Sequence, residues 1–293
     1  MIPSERCSRR TLLGGALVAG IVGLAGCAPA TTGAPSTPSP TPASSPTPTP
    51  TPTPTAGLSP AERATITARH QGRTPTAWGL ELEDVVLRSD ADAVVLTLDA
   101  CGGPGGEGGD SDLLDLLRAE GVPATLFLNA RWIEANRAVV DRLAGEELFE
   151  LANHGTRHLP LSVSGRQAYG ITGTGSVAEV VDEVYGNHEL MTTITGMAPR
   201  FFRPGTAYFD DVAVDLVREL GEIPVNFDVN ADAGATFSAS QVAAAVEMVR
   251  PGSIIIGHMN QPGGDTAEGL AVALPRLIAA GHRFARLGDV GLQ

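Results

Sequence analysis

No lysine occurs anywhere in the 293 residues. Its absence excludes a Walker-type phosphate loop and any mechanism built on a lysine Schiff base. Cysteine is scarce too, with Cys7, Cys27 and Cys101 the full set, so a disulfide-stapled fold is excluded. Positive charge is short overall: the chain carries a formal net charge of −13. Without residues 1–26, 17 arginines face 32 acids and the balance falls to −15. That balance argues against nucleic acid or an anionic surface as the main partner. Finally, no charged residue lies between Arg10 and Glu62.

What fills the N-terminal region is a targeting pattern followed by a spacer. Arg6, Arg9 and Arg10 precede an apolar run from Leu12 to Leu24, and Ser8 to Leu13 resembles a twin-arginine export signal. Leu24-Ala25-Gly26-Cys27 resembles a bacterial lipobox, in which the chain is cut before the Cys and its thiol is lipidated. Residues 1–26 are therefore expected to be an export signal and Cys27 a lipid anchor. The protein is then expected outside the cytoplasm, on the outer face of the cell membrane. Residues 27–60 are rich in Pro, Thr and Ser, and the alternating Thr-Pro run favours extended polyproline II, a semi-rigid spacer. Residues 61–293 suffice for one sizeable domain with a full core.

Within that domain, apolar runs alternate with amphipathic stretches. Residues 93–98, 124–128, 149–152, 200–203, 223–228, 253–256 and 284–287 read as strands. Helical spacing separates them at 111–120, 132–143, 177–194, 211–220, 238–249 and 267–280. About seven parallel-type strands with intervening helices mean an α/β domain. Polar residues gather where these strands end: Asp99, His154, Arg203, Asp228 and Asp232, and His258. Parallel α/β folds place their active sites at those ends. His154 and His158, four residues apart, fall on one face of a helical turn and can reach one ion. His70, His188 and His282 lie in no motif and read as surface residues, and Trp78 and Trp132 as packing residues.

Four ordered segments, TLDACGG (97–103), HGTRH (154–158), FFRPG (201–205) and IIIGHMN (254–260), resemble the motifs of the NodB-type polysaccharide deacetylases, carbohydrate esterase family 4. The resemblance spans nearly all of residues 90–290. It implies a distorted (β/α) barrel with fewer than eight strands, and removal of acetyl groups, mostly from N-acetylated hexosamine glycans. It implies a divalent metal, zinc first with cobalt or nickel as alternatives, on His154 and His158. Asp99 matches the catalytic base, Arg203 the residue orienting it, and His258 the general acid. Asp232 most nearly matches the carboxylate supporting His258, with Asp228 in reserve. The remaining implied partner is a glycan, with Thr206, Tyr208 and Asn260 as candidate contacts.

The chain departs from the pattern at one telling place. The family carries a second Asp after the base as third metal ligand, and here Ala100 stands there. Asp99 is the first candidate to replace it, and Cys101 is the chemical rival, because thiolate binds zinc well. Against Cys101, the glycines that follow it are expected to leave their loop loosely held. Asp110 and Asp112 lie further along that loop. The aromatic after Arg-Pro is also missing: Thr206 stands in its place and Tyr208 two residues on.

Overall fold

The computed structural model describes residues 57–292. The expected export signal, Cys27 and all but residues 57–60 of the expected linker lie outside them. Among the described residues, no helix is long and apolar enough to cross a membrane.

The first element, α1 (Pro60–His70), was not foreseen from periodicity. Ser59 and Glu62 form a reciprocal capping box that starts it. After a short β1 (Trp78–Gly79) come β2 (Val94–Ala100), α2 (Ser111–Glu120) and β3 (Ala124–Leu128). The next expected helix is two, α3 (Ala130–Ala135) and α4 (Arg137–Leu143), broken at the non-helical Asn136. β4 (Phe149–Asn153) leads to a small hairpin, β5 (Gln167–Ala168) and β6 (Ile171–Thr172), then to α5 (Val177–Thr195). β7 (Phe201–Phe202), β8 (Phe209–Asp210), α6 (Asp211–Glu219), β9 (Ile223–Pro224) and β10 (Val229–Asn230) follow. The domain ends with α7 (Ala239–Val246), β11 (Ile254–His258), α8 (Thr266–Ala279) and β12 (Phe284–Ala285).

The main sheet is parallel throughout, in the order β10-β11-β2-β3-β4-β7-β9, with β12 also pairing β2. The expected fifth strand, 223–228, is not one strand. Its start pairs β7 at one edge of the sheet, and the residues just after it pair β11 at the other edge. Pro224 has no N–H to extend a ladder, and the crossing residues are held singly, Val225 N–H by Phe202 O and Asn226 N–H by Val86 O. This segment bridges the two edges, so the architecture is the expected distorted barrel, curled but incompletely hydrogen-bonded.

Every residue of β2 and β3 is buried, because helices cover one face and the opposite strands cover the other. Val95, Phe127, Ala152, Phe201, Val225 and Ile254 form one inward-facing cluster. Side chains alternate with period two along a strand. Counting up by two from that layer gives Thr97 and Asp99 on β2, His154 after β4, Arg203 after β7, and Ile256 and His258 on β11. The apolar floor of the barrel thus fixes which residues rise into the cleft above it.

Candidate active site

Asp99 and His258 sit side by side, in register on adjacent strands. Asp99 is buried, and its Oδ1 accepts a hydrogen bond from Arg203 Nη1 at 2.7 Å. Burial pushes the Asp99 carboxyl up. The charge of Arg203, ahead of those of His154 and His258, overrides that effect and holds it below the usual carboxylate range. Arg203 is wholly buried and closely held: it also donates to Thr97 Oγ1, Val225 O and Asn226 O, and lies over the Phe127 ring at 4.2 Å. Removing one partner of such a pair leaves a buried charge uncompensated. Arg203→Met is expected to cost about 3–5 kcal/mol of stability. Denaturant unfolding checks this, and an unchanged midpoint contradicts it.

On β11, His258 Nδ1 lies 2.8 Å from Asp232 Oδ1, and its backbone N–H donates to Asp232 Oδ2 at 2.7 Å. Thr266 Oγ1 and Gly234 N–H also donate to Asp232, so that carboxylate is firmly oriented. Burial disfavours the His258 imidazolium, but the hydrogen bond to Asp232, the contact with Cys101 and the charges of both push it well up. Asp228 takes another part. It accepts from Ile254 N–H and Ser253 Oγ and pairs with Arg88, so it stitches β11 to the segment before β10.

His154 and His158 meet, but not on a helix. Residues 154–158 form a loop in which Gly155 has φ 77° and His158 φ 63°. The two rings lie 4.9 Å apart, edge to face. A Cβ on Gly155 would come 2.6 Å from Glu183 Oε1, because the wholly buried Glu183 carboxylate fills the loop. It accepts from Arg157 N–H and Leu159 N–H, and the Glu183 carbonyl accepts from Thr156 N–H. Sequence reading passed over Glu183, which looks like any acid on an amphipathic helix. Its amide would face the loop with a donor where acceptors are needed. Glu183→Gln is expected to weaken metal binding about 10- to 100-fold; chelator competition measures this, and unchanged affinity contradicts it.

The ligand-type atoms that converge are those of Cys101, His154 and His158, all within 4.8 Å of one another. Cys101 Sγ is 3.8 Å from His154 Nε2. His154 Nδ1 lies 2.8 Å from Arg203 O, which places its proton there and leaves the Nε2 lone pair facing the cleft. The donor set therefore fits a divalent ion. Asp99 is outside this group, although its Oδ2 stands 3.6 Å from His154 Nε2. Burial pushes the Cys101 thiol up, but His158, His154 and His258 around it bring it well down.

The glycine loop after Cys101 is not loose. Arg131 Nη2 donates to Cys101 O, Trp132 Nε1 to Gly108 O, Asn136 to Glu107 O, Asn260 to Gly106 O and Gln261 to Gly105 O. Gly102, at φ 65°, packs so close that a Cβ would lie 2.5 Å from Trp132 N. Asp110 is buried as the N-cap of α2, accepting from Leu113 N–H, and Asp112 lies in the first turn of that helix.

A cleft of about 550 Å³ joins these groups. Asp99, Cys101, His154, His158, Thr206, His258 and Asn260 line it, together with Tyr169 and Ile171 of the β5–β6 hairpin. Tyr208 does not reach the cleft wall; it packs against Trp78 and Tyr169. Trp132 is buried, as its packing role requires. His70 and His188 are buried as well, contrary to the surface expectation. Glu219 partners the first and Glu222 the second, from elements remote in sequence.

Residues 87–223 match the family model for polysaccharide deacetylase. The chain carries a polysaccharide deacetylase domain. The match takes in Asp99, His154, His158, Arg203, Thr206 and Tyr208, while Asp232, His258 and Asn260 lie beyond it. Solved structures are similar over a larger share of the chain. A family 4 acetyl xylan esterase from Clostridium thermocellum, in complex with a cobalt ion, is 25% identical over 67% of this chain and 89% of its own, with TM-score 0.54. A peptidoglycan N-acetylglucosamine deacetylase is 24% identical, covering 71% and 92%, with TM-score 0.59. A family 4 pseudoenzyme from Bacillus anthracis is 21% identical, covering 71% and 69%, also with TM-score 0.59. No curated protein matches the chain. This deacetylase domain thus shares its fold with active and inactive relatives, and its chemistry has to be argued from its own side chains.

Proposed function

We propose that this protein is a metal-dependent polysaccharide deacetylase that removes N-acetyl groups from an amino-sugar glycan. The observation that carries the reading is the adjacent pair: a carboxylate that accepts from Arg203 and an imidazole hydrogen-bonded to Asp232, in register on neighbouring strands beside a converging donor set. An acid and a base tuned apart by their surroundings are what acyl hydrolysis needs. A divalent ion at His154 and His158 would supply polarisation of the acetyl carbonyl and acidification of a water molecule. Asp99 takes the proton of the attacking water, and Arg203 keeps Asp99 ionised and aimed. His258 protonates the departing amine nitrogen, so that it leaves neutral. Thr206 Oγ1 and Asn260 Oδ1 are buried without partners and line the cleft. They are acceptors for a sugar hydroxyl or the acetamido N–H.

Acetate release from an N-acetylglucosamine oligomer and from acetylated xylan, side by side, tests the reading. Release from the first supports it. Release only from xylan makes the protein an O-deacetylase, the reading favoured by its likeness to the Clostridium thermocellum esterase. No release from either, with metal bound, leaves a glycan-binding protein without catalysis. We further propose that Cys27 is lipidated and that the Thr-Pro spacer holds the domain off the outer face of the cell membrane, with a glycan of the cell envelope or surroundings as substrate. Cys27→Ala should abolish metabolic lipid labelling, and labelling that persists overturns the anchor.

A further inference from the structure

We infer that Cys101 is the third protein ligand of the metal, making this a His-His-thiolate centre that favours zinc. The inference rests on the metal-dependent reading above for the presence of an ion, but not on the identity of the substrate. Ala100 leaves no side chain to coordinate anything, and among the described residues the donor group that converges is Cys101 with His154 and His158.

The spacing agrees with a shared ion. Zinc–sulfur and zinc–nitrogen bonds of about 2.3 and 2.0 Å at a tetrahedral angle put the two donor atoms about 3.5 Å apart. Cys101 Sγ and His154 Nε2 stand 3.8 Å apart, long for a hydrogen bond and close to that ligand separation. The rival, Asp99, is already engaged: its Oδ1 receives Arg203 at 2.7 Å and lies outside the converging group.

The thiol is also held where a ligand must be. Its own carbonyl is fixed by Arg131, and Gly102 allows the chain to turn tightly against Trp132 immediately after it. Cys101 continues the period-two series of β2, two residues beyond Asp99, and lines the same cleft. A thiolate is softer than a carboxylate and selects zinc over magnesium or calcium. Division of labour follows: the residue two positions earlier is released from coordination and remains free to act as base.

Cobalt(II) loading of the full chain tests this, because thiolate–cobalt charge transfer produces a near-ultraviolet band that histidine and carboxylate ligands do not. Wild type is expected to take up one cobalt per chain with that band. Cys101→Ser is expected to lose the band and to bind zinc more than about 100-fold more weakly, beyond the loss typical of an outer-shell partner. Asp99→Asn is expected to keep the band. Zinc should also protect the Cys101 thiol from alkylation in the wild type.

Cobalt bound without the band, or a band that survives in Cys101→Ser, overturns the assignment. So does a chain that binds no cobalt at all, which sinks the metal-dependent reading with it. Acetate release without a sulfur band overturns the ligand alone. A sulfur band without acetate release from either glycan keeps the ligand and overturns the deacetylase.

Discussion

Asp99→Asn is expected to lower acetate release by about 10⁴-fold, the upper end for removing a general base. The variant keeps an acceptor for Arg203, since an amide oxygen can take the place of Oδ1, so the fold should survive. What it loses is the ability to take a proton, and the negative charge that balances Arg203 in a buried site. If Cys101 holds the ion with the two histidines, metal content stays near that of the wild type while turnover disappears. Metal analysis and acetate release on one sample check both. Turnover within about tenfold of the wild type would show that another group, or solvent, does the work assigned to Asp99.

His258→Ala is expected to be nearly as severe, about 10³-fold, because the amine is a poor leaving group unless it is protonated as it departs. Metal should again be retained, since His258 is no part of the converging donor group. A milder substitution tests the electrostatics. The His258 imidazolium is pushed well above its ordinary range, and apart from burial, which opposes it, Asp232 is the first cause. An acid of raised pKa is protonated, and active, below that pKa and lost above it. Asp232→Asn should therefore bring the alkaline limb of the pH–rate profile to lower pH without moving the acid limb, which belongs to Asp99. An alkaline limb that stays in place means that Asp232 does not control His258.

Much of this site is legible in the sequence because two periodicities coincide. The strands are buried on both faces, so they read as apolar runs, and the first residues of opposite character after each run are those that rise into the cleft. Asp99 follows from that rule directly, and His154, Arg203 and His258 each lie within two residues of a run's apolar end. The choice between Asp228 and Asp232 does not, since both flank β10, and only the chain path sends one toward His258 and the other toward Arg88. Spacing misled at His154 and His158. Four residues suit a helical turn, but Gly155 and the Glu183 carboxylate impose a loop that brings the rings together another way.

Composition misled at the glycine loop. Glycines promise freedom when read in isolation, and here they allow close packing against Trp132 and Arg131 under a set of hydrogen bonds from α3, α4's preceding Asn136 and the segment after β11. The fifth strand read as continuous because its apolar residues are continuous. Its division follows from Pro224 and from the geometry of closing a barrel with too few strands to complete the ladder. The buried His70 and His188 could not be told from surface histidines, since their carboxylate partners come from distant parts of the chain. By contrast, α1 did carry a local signal, the Ser59–Glu62 capping box with Pro60 at the first helical position, which periodicity alone passes over.

The central claim is that this cleft hydrolyses an N-acetyl group with a divalent ion on His154 and His158. Acetate release from an N-acetylglucosamine oligomer by the zinc-loaded chain, by the same chain after chelation, and by the chain reloaded with zinc measures it most directly. The account predicts release, loss and recovery in that order. Release that is indifferent to chelation, or none from a chain shown to hold its zinc, would contradict it.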